Sequence, residues 1–524
     1  MAKSVEEIIA EIQELFLSDA LPWVIGYSGG KDSTASLQLI WNAIAALPED
    51  RRRFKPVHVI STDTLVENPV IATWVDISLR KMQMAAHTQQ LSIQPHRLTP
   101  ALENRFWVNL IGKGYPAPRN KFRWCTDRLK ISASTKFIQE LSEVNGEAIL
   151  VLGQRRGESA ARDKVIDEYK GSTRDRLSRN KDPKLSRVWV YLPIESWSSD
   201  DVWEYIIQNP NPWGNDNQEL FEIYRGATPD AECPIVVDKS TPSCGDSRFG
   251  CYVCTMVTQD KSMAAMIQND SDKFWMQPIM DFRDRFLAVE DREHRDFRRL
   301  NGRITVLRDR LVHGPYSQER RHQLLVQLLK AQQAAIEGGQ SKGYGQIELI
   351  SIEELEEIRR IWVEDKGEIE DTLPSLYTEA LNKPYPGKDL DPMPLDISDL
   401  VLLKRVAGHW SMKNQPTDDS SLRRERRLEL YKLLRTLLAT SFKGLQSRKR
   451  SKQLDEITDL LKAFAFIDEQ DALAFARVHH ADLRQDISTE AISATNDDEV
   501  LDQDHHSEPG RKVIPIVATN DLFA

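Results

Sequence analysis

A short polar loop near the N-terminus combines residue types that bind phosphate groups. Residues 28–33 read SGGKDS, and they lie between an apolar run at residues 23–27 and a helical pattern that begins at Asp32. A strand, a glycine-rich turn and a helix start direct backbone N–H groups and the helix dipole toward one point, which makes an anion site. The spacing is not that of the standard P-loop, so a tight turn without a ligand is the alternative interpretation. The candidate ligands are Ser28, Gly29, Gly30, Lys31, Asp32 and Ser33.

Charge and backbone freedom give these loop residues different chemistry. Gly29 and Gly30 lack a Cβ atom, which lets the backbone approach a ligand closely. The Lys31 ammonium would attract a phosphate, whereas the Asp32 carboxylate would repel one. Asp32 is therefore predicted either to bind Mg²⁺ or to cap the turn.

Four of the five cysteines are clustered between residues 233 and 254. In a chain without the pattern of a secretory signal, such clustering favours a metal site over disulfides. Four thiolates this close suit a zinc ion or an iron–sulfur cluster, and their spacing does not separate the two. Unliganded buried thiols are the alternative. The candidate metal ligands are Cys233, Cys244, Cys251 and Cys254.

The elements that must position these residues alternate between strands and helices. Apolar runs predict strands at residues 23–27, 57–61, 91–98, 148–152 and 188–192, and helical periodicity predicts helices at residues 4–17, 32–47 and 69–84. The predicted fold class is α/β, with a doubly wound, mostly parallel sheet and a C-terminal, mainly helical region. Ligands of such sheets bind at the carboxyl ends of strands, where the loop at residues 28–33 lies.

Strand patterns fade after about residue 265, which divides the 524 residues into three predicted regions. Residues 1–265 form the α/β domain with the cysteine cluster, residues 266–480 a helical, partly basic region, and residues 481–524 an acidic, disordered tail. The net charge of −10 argues against a protein that simply coats nucleic acid. No apolar run approaches the roughly 20 residues of a membrane span, so a cytoplasmic location without a membrane partner is expected.

The loop at residues 28–33 resembles the SGGxDS loop of the ATP pyrophosphatase (PP-loop) superfamily, whose fold is adenine nucleotide alpha hydrolase-like. The resemblance implies an enzyme that binds ATP and Mg²⁺, splits ATP between its α and β phosphates, and activates an oxygen by adenylation. A Walker loop would instead serve transfer of the γ-phosphate.

Four further stretches resemble the phosphoadenosine-phosphosulfate reductase-like branch of that superfamily. They are STDTLVENP at 61–69, RWCTDRLK at 123–130, GQRRGESAAR at 153–162 and LPIESWSSDDVWEYI at 192–206. The resemblance implies nucleotide contacts from the arginines, whose planar forks suit phosphate, and a metal or ribose contact from the aspartate, which could instead cap a helix. The residues concerned are Asp63, Arg123, Gly153 and Arg155.

Two stretches, CGDSRFGCYVC at 244–254 and GPYSQERRHQLLVQLL at 314–329, are similar to DndC-type DNA phosphorothioation sulfurtransferases. This resemblance covers about the first 330 residues well and the rest loosely. In that family a PP-loop domain is joined to a cysteine-ligated 4Fe–4S cluster. The resemblance therefore favours a 4Fe–4S cluster on the four clustered cysteines.

Cys125 stands apart from the clustered cysteines. The reductases have paired cysteines here, whereas Thr126 follows Cys125, so the reductase cluster cannot be built identically. The basic side chains of RWCTDRLK predict a lowered pKa for Cys125 and hence a thiolate. Cys125 would then carry a persulfide or replace Cys233 as a cluster ligand, with a structural thiol as the alternative.

Basic segments are candidate contacts for DNA phosphates. Residues 281–310 carry nine Arg beside seven acids, and residues 421–427 and 442–452 are net positive. Solvated helix faces with internal ion pairs are the alternative. Residues 162–187, with nine Lys/Arg, five Asp/Glu and few apolar residues, are a predicted insertion in the α/β domain and a better DNA candidate, because they leave the sheet near the predicted ATP site.

Together these features predict an ATP-dependent sulfurtransferase of DNA phosphorothioate modification. A DNA backbone phosphate would be adenylated with release of pyrophosphate, and sulfur would then displace AMP. The predicted partners are DNA, a cysteine desulfurase as sulfur donor, and other proteins of the DNA phosphorothioation complex. The predicted catalytic residues are Lys31, Asp32, Cys125 and Arg155.

Three alternatives remain open at this point. A reductase of an adenylated sulfate shares the fold, although the missing second cysteine at Thr126 argues against it. A tRNA thiolase would share ATP and cluster but bind tRNA. A binding scaffold with a vestigial nucleotide fold is disfavoured by the intact loop at residues 28–33.

Overall fold

The computed structural model describes residues 3–119, 122–157, 163–164, 166–167, 173–174, 176–228, 249–300, 302, 304–307, 310–340, 347–388, 401–403, 405–406, 429–438, 457–458, 461, 464, 466 and 468–486. The chain divides into two compact units. The first contains Met1–Phe106, Trp124–Asp284 and Ala334–Ile347, and the second contains Trp107–Arg123, Arg285–Gln333 and Glu348–Ala524.

A mostly parallel sheet forms the centre of the first unit. Its strands are β1 (Trp23–Gly26), β2 (Val57–Thr62), β3 (Ile93–Leu98), β4 (Ala148–Val151), β5 (Thr173–Arg174), β6 (Leu177–Arg179) and β7 (Val188–Tyr191). Their order in the sheet is β3-β2-β1-β4-β7-β6-β5, and the first five are parallel. The chain steps from β1 toward β3 on one side and places β4 on the other. This reversal between β1 and β4 opens the crevice in which such sheets bind ligands.

The strands are continuous apolar runs because the sheet is buried on both faces. Strands β1, β2, β4 and β7 are buried along almost their whole length. Between the sheet and one helix layer, Val24, Leu150 and Val188 pack with Ile138 in one core cluster. The predicted strands at residues 57–61, 148–152 and 188–192 and the predicted α/β class are thus confirmed.

Among the described residues, eight α-helices of the first unit have bounds that can be given. They are α1 (Val5–Ser18), α2 (Lys31–Ala45), α3 (Pro69–Thr88), α4 (Ser132–Asn145), α5 (Ser199–Gln208), α6 (Asn217–Gly226), α7 (Lys261–Asn269) and α8 (Gln277–Phe282). Local capping fixes two of their starts. The Ser4 hydroxyl accepts from the Glu7 amide in a capping box, and the Asn68 side chain accepts from Val70 N–H just before Pro69.

The predicted insertion at residues 162–187 is partly wrong. Strands β5 and β6 lie within it and extend the sheet, because β6 pairs antiparallel with β7 and β5 with β6. Arg179 holds this edge: its guanidinium lies 4.3 Å from the Trp189 ring and 2.6 Å from a Glu147 carboxylate oxygen. The charged composition of this segment therefore gave no indication that it adds two strands to the edge of the sheet. Residues 162, 165, 168–172 and 175 of this segment lie outside the described residues.

The second unit has short strands and several helices. These elements are β8 (Val306–Leu307), β9 (Arg310–Leu311), α9 (Gln318–Gln340, of which residues up to 333 belong here), α10 (Ile352–Arg360), α11 (Leu373–Leu381) and α12 (Glu469–Asp486). Two buried indoles tie a π-helix at Val108–Lys113 into this unit, since Trp107 donates to the Leu349 carbonyl and Trp362 to the Ile111 carbonyl. The acidic tail predicted at residues 481–524 is wrong for residues 481–486, which belong to α12, and its other residues lie outside the described residues.

Part of the region predicted to be helical, residues 266–480, is not helical. Between the π-helix Arg283–Leu287 and α9, the described residues form loops, one 3₁₀ turn and the β8–β9 ribbon. Several arginines here are buried and bind acceptors that loops present. Arg283 donates to the carbonyls of Cys254 and Thr258, and Arg298 pairs with Glu429 at 2.7 Å. Internal pairing, not a solvated basic helix, accounts for these two arginines.

Within the described ranges, no helix is both long enough and apolar enough to cross a membrane. The two other basic segments, residues 421–427 and 442–452, lie outside those ranges.

Candidate active site

The loop between β1 and α2 is held in a fixed shape by contacts to its own backbone. Gly29 has a φ of +74°, and a Cβ there would lie 2.5 Å from Val75 Cγ2. Trp74 Nε1 donates to the Gly29 carbonyl at 3.1 Å, and the Ser33 hydroxyl donates to the Gly30 carbonyl at 2.9 Å. Ser28 N–H donates to Ser33 Oγ at 3.2 Å. The loop is therefore preformed at the N-terminus of α2, where partial positive charge favours anions.

A cavity of about 560 Å³ opens beside this loop, within the size range of a small-molecule site. One part of its wall is polar and includes Ser28, Gly30, Lys31, Asp32 and Ser33. Another part is aliphatic and consists of Ile60, Ile71, Ile131, Ile138, Leu150 and Leu152. The cavity lies at the carboxyl ends of β1, β2 and β4, as the strand order requires. A polar, cationic end and an apolar wall together suit a nucleotide.

Two cations share one carboxylate at the polar end of the cavity. Arg155 Nε donates to Asp32 Oδ1 at 2.5 Å, and Lys31 Nζ lies 3.3 Å from Asp32 Oδ2. The Lys31 and Arg155 side chains are only 8% and 6% exposed. Asp32 thus has the partner that its sequence position did not reveal, since it positions the Arg155 guanidinium. The three groups keep one uncompensated positive charge, which favours an anionic ligand.

Gly153, at the end of β4, is required by close backbone packing. A Cβ at this position would lie 2.6 Å from the Asp32 carbonyl oxygen and 2.9 Å from Ser33 Cα. A side chain here would push the start of α2 away from the sheet. Gly153 therefore supports the loop at residues 28–33 through contact, and it also lines the cavity.

The cysteine segment is anchored to the same cavity wall. Glu67 and Cys251 form an antiparallel bridge, Asn68 N–H donates to the Gly250 carbonyl, and Tyr252 N–H to the Val66 carbonyl. The neighbours of Cys251 in this arrangement, Glu67, Lys130 and Gly250, line the cavity. The segment that holds Cys251 is therefore part of the wall of the predicted nucleotide site.

Comparison with known proteins finds similarity to a family model in the N-terminal part of the chain. Residues 22–215 match the family model of the phosphoadenosine phosphosulfate reductase domain. This segment is similar to the phosphoadenosine phosphosulfate reductase domain. An uncharacterised protein of Methanocaldococcus jannaschii is 26% identical over 254 residues, which are 48% of this chain and 40% of that protein. The chain thus spans about two fifths of the length of that relative.

Two solved structures are distantly similar to the chain. A phosphoadenylyl-sulfate reductase from Candida auris, in a phosphate complex, is 14% identical with a TM-score of 0.26, over 42% of this chain and 92% of that one. A tRNA thiolase from Methanococcus maripaludis with a 4Fe–4S cluster is also 14% identical, with a TM-score of 0.25, over 55% of this chain and 82% of that one.

Two aromatic residues that line the cavity, Tyr224 and Phe249, follow residues 22–215, which match the family model. The Tyr224 hydroxyl accepts from Lys31 N–H at 3.2 Å, and Lys31 Nζ lies 5.7 Å from the centre of its ring. Phe249 packs edge-on against Tyr224 at 4.7 Å, and both line the cavity. Sequence analysis missed Tyr224 because α6 carries only an ordinary amphipathic pattern, in which an aromatic residue signals burial. It quoted Phe249 only as part of the stretch at residues 244–254 and gave it no role.

The predicted thiolate of Cys125 is wrong. Burial raises the pKa of Cys125, and the nearby Cys254 raises it further. Burial also raises the pKa of Cys251 to about 11, although the Lys130 ammonium opposes this. The cations adjacent to Cys125 in sequence do not dominate its surroundings, since Arg123 is exposed and Arg128 donates to Asn104. These thiols are protonated at neutral pH unless a metal displaces the protons.

The predicted metal ligands are only partly within the described residues. Cys251 and Cys254 are described, together with Cys125, and electrostatic coupling links Cys125 to both. The segment with Cys233 and Cys244 lies outside the described ranges. Within those ranges, no three His, Cys, Asp or Glu side chains are arranged to hold a metal ion. The metal site on Cys233, Cys244, Cys251 and Cys254 therefore remains a prediction.

Asp63 does not cap a helix, because Asn68 caps α3. One Asp63 oxygen accepts from Leu65 N–H at 2.8 Å, and the other is paired with the Arg97 guanidinium. The predicted metal or ribose contact of Asp63 and the nucleotide contact of Arg123 remain predictions. Arg97 had no sequence signal, because it reaches Asp63 from the neighbouring strand β3.

Proposed function

We propose that this chain is an ATP-dependent sulfurtransferase that adenylates an oxygen of a nucleic acid and replaces that oxygen by sulfur. One observation carries the proposal: a single cavity is lined by the loop at residues 28–33 and by the residues that anchor Cys251. An adenylating site and a sulfur-handling segment would then share one wall. The reductase-like domain and its PP-loop motif support ATP as the nucleotide.

The cavity suggests how ATP would bind. The phosphates would lie against the N-terminus of α2, near Lys31 and the Arg155–Asp32 pair, and the adenine against the aliphatic wall. Asp32 and Glu67 are the carboxylates among the described residues of the wall. Because Asp32 already pairs with two cations, Mg²⁺ would be bound chiefly by phosphate oxygens and water.

The proposed reaction has two steps whose atoms balance. An oxygen of the acceptor attacks the α-phosphorus of ATP, and the bond to the bridging oxygen breaks to release pyrophosphate. The terminal sulfur of a persulfide then attacks the adenylated centre, AMP leaves, and a second thiol cleaves the S–S bond by forming a disulfide. Lys31 and Arg155 would stabilise the negative charge that develops on the phosphates.

A DNA backbone phosphate is the proposed acceptor. Support for DNA comes from the similarity of residues 244–254 and 314–329 to DNA phosphorothioation sulfurtransferases. A cysteine desulfurase would supply the persulfide, and other proteins of a phosphorothioation complex would be partners. A 4Fe–4S cluster is proposed on Cys233, Cys244, Cys251 and Cys254, with Cys125 as the alternative to Cys233.

The direct test is mass spectrometry of nucleotides from DNA of cells with and without the gene. Sulfur at a backbone phosphate that depends on the gene is the expected result. In parallel, purified protein should release pyrophosphate and AMP from ATP in the presence of duplex DNA. Unmodified DNA together with sulfur in a tRNA nucleoside would contradict the DNA acceptor while leaving the sulfurtransferase reaction intact.

A reductase of an adenylated sulfate is the second candidate, because the matching family model describes that domain. Such an enzyme uses a thiol to form sulfite and does not cleave ATP. Sulfite production with phosphoadenylyl sulfate and thioredoxin, without pyrophosphate release from ATP, would favour it over the sulfurtransferase.

A further inference from the structure

Asp291 in the second unit is surrounded by more positive charge than it can neutralise. Its side chain is 2% exposed and accepts from the Arg119 guanidinium and, at 3.0 Å, from the Tyr316 hydroxyl. Arg295 Nε lies 3.3 Å from the same carboxylate oxygen that Arg119 contacts. Arg320 is within electrostatic range, and the exposed Glu290 is the other acid nearby.

Arg295 is poorly satisfied although it is buried. Its side chain is 7% exposed, yet within the described part of the chain its Nε and Nη1 atoms have no hydrogen-bond partner. The guanidinium therefore faces a carboxylate that is already bonded elsewhere. Buried N–H groups without hydrogen-bond acceptors are costly, so the two unsatisfied atoms of Arg295 indicate a missing acceptor such as an ion or water.

The site is connected to a basic surface segment. The Arg119 side chain is 35% exposed, so the cluster reaches solvent there. The described arginines of residues 114–123 are Arg119 and Arg123, this part of the sequence contains no acid, and Arg123 is exposed. An anion that approached this segment would meet positive charge before it reached Arg295.

We propose that Arg119 and Arg295, held on Asp291, form an oxyanion site that takes a phosphate group, and that a backbone phosphate of the nucleic-acid substrate is its ligand. The choice of nucleic acid rests on the proposed function, whereas the oxyanion site does not. The ligand would supply the acceptors that Arg295 lacks and would neutralise the excess charge.

The acid–base properties of the cluster agree with this arrangement. Arg119 loses hydration, but its bond to Asp291 outweighs that loss and raises its pKa. Burial lowers the pKa of Arg295, and the neighbouring Arg119 lowers it further. Asp291 thus stabilises the charge of Arg119 more than that of Arg295, which leaves Arg295 for another anion.

The first experiment measures thermal unfolding of the full chain in inorganic phosphate against chloride of equal ionic strength. Phosphate should raise the unfolding midpoint of the wild type by about 3 °C at saturation. Arg295→Gln should abolish most of this rise and Arg295→Lys should retain part of it. Arg405→Gln, which removes an exposed arginine of the same unit, is the matched control and should behave as the wild type.

Equal phosphate stabilisation of wild type and Arg295→Gln would overturn the site and would mean that buried water satisfies Arg295. If Arg295→Gln does not fold, Arg119→Gln replaces it. In that variant Arg295 becomes the partner of Asp291, so the phosphate effect should again be lost.

The second experiment identifies the source of the phosphate. Duplex DNA affinity is measured against salt concentration, and Arg295→Gln should lower the salt slope by about one, as expected for one lost phosphate contact. A phosphate effect without a change in DNA slope would overturn the nucleic-acid assignment and leave a free-phosphate site. Pyrophosphate release by the wild type separates this result from the proposed function, since it tests the ATP cavity and not Arg295.

Discussion

The two units differ in how they neutralise buried charge. In the second unit, arginines that are 3–6% exposed meet one principal carboxylate each: Arg321 with Glu368, Arg298 with Glu429 and Arg435 with Glu370. In the first unit, two buried cations, Lys31 and Arg155, share the single carboxylate of Asp32 beside a cavity. The charges of the three arginine–carboxylate pairs cancel without a ligand, whereas Lys31, Arg155 and Asp32 together keep a net positive charge.

This difference separates structural charge from charge that is kept for binding. A matched buried pair holds segments together, and its attraction is largely offset by desolvation. An excess positive charge at a cavity has no protein carboxylate to neutralise it, so an anionic ligand would do so. Among the described residues of the second unit, the cluster at Asp291 departs from this pattern, since Arg119 and Arg295 share one acid as Lys31 and Arg155 do.

The largest effect is expected from Lys31→Ala. Loss of a cation that stabilises the developing charge on pyrophosphate should reduce pyrophosphate release by about 100- to 1,000-fold. The assay measures pyrophosphate from ATP with duplex DNA present. Lys136→Ala is the control, because Lys136 lies on α4 with a side chain 78% exposed. Release at the wild-type rate in Lys31→Ala would remove the loop from the reaction.

The matched pairs should behave in the opposite way. Glu368→Gln leaves the Arg321 guanidinium, 3% exposed, without its counter-charge and should lower the free energy of unfolding by about 3 kcal/mol. Urea unfolding followed by circular dichroism measures this loss. Nucleotide affinity of the folded variant should stay within about twofold of wild type, since neither Glu368 nor Arg321 is among the described residues that line the cavity beside the loop at residues 28–33. A large loss of nucleotide affinity without a loss of stability would show that the Arg321–Glu368 pair serves ligand binding and not the fold, which would contradict the comparison.

Sequence patterns were sufficient for the sheet and the loop because both are local. The runs at residues 23–26 and 148–151 are apolar because β1 and β4 are buried on both faces, and the SGGKDS motif marks the helix start at Lys31. The sequence could not show which side chains from distant segments contact each other. The Arg155–Asp32 contact joins residues 123 positions apart, and Tyr224 reaches Lys31 over 193 positions.

Two errors share a physical cause, since each equated nearness in sequence with nearness in space. Cys125 has basic neighbours along the chain, but burial dominates its surroundings and raises its pKa. The arginines of residues 281–310 resemble a basic helix, but Arg283 and Arg298 fold inward to carbonyls and carboxylates. Desolvation and long-range acceptors decide such charges, and neither is visible in a short window.

A smaller effect is expected from Gly153→Ala, which tests whether the unbalanced site needs its exact backbone. The new Cβ would lie 2.6 Å from the Asp32 carbonyl, so the start of α2 must shift. ATP affinity, measured by calorimetry, should fall about tenfold, which corresponds to about 1.4 kcal/mol. Gly226→Ala is the control, because the nearest atom to a Cβ there is the flexible Lys273 Nζ at 3.9 Å. Equal affinities for both variants would show that the loop tolerates the shift.

The smallest effect concerns a buried pair that avoids charge. His58 Nδ1 and His96 Nε2 are 3.0 Å apart beside the Phe137 ring. Burial, with His96 as neighbour, lowers the pKa of His58 to about 4, and burial also lowers the pKa of His96. Between about pH 6.5 and 4 the unfolded chain binds protons that the folded chain does not, so the free energy of unfolding falls as pH decreases.

The variant His58→Gln should make this decrease with pH smaller, because one of the two protonation events is removed from the unfolded chain. Urea unfolding at several pH values between 4 and 7 measures the slope. His87→Gln, which replaces an exposed imidazole on α3, controls for loss of a histidine as such and should keep the wild-type slope. An unchanged slope in His58→Gln would mean that the pair accepts a proton in the folded state. Protonation of the pair in acid would then place a positive charge inside the first unit without an acid or a ligand to neutralise it. Such a charge would contradict the view that excess buried positive charge marks a binding site.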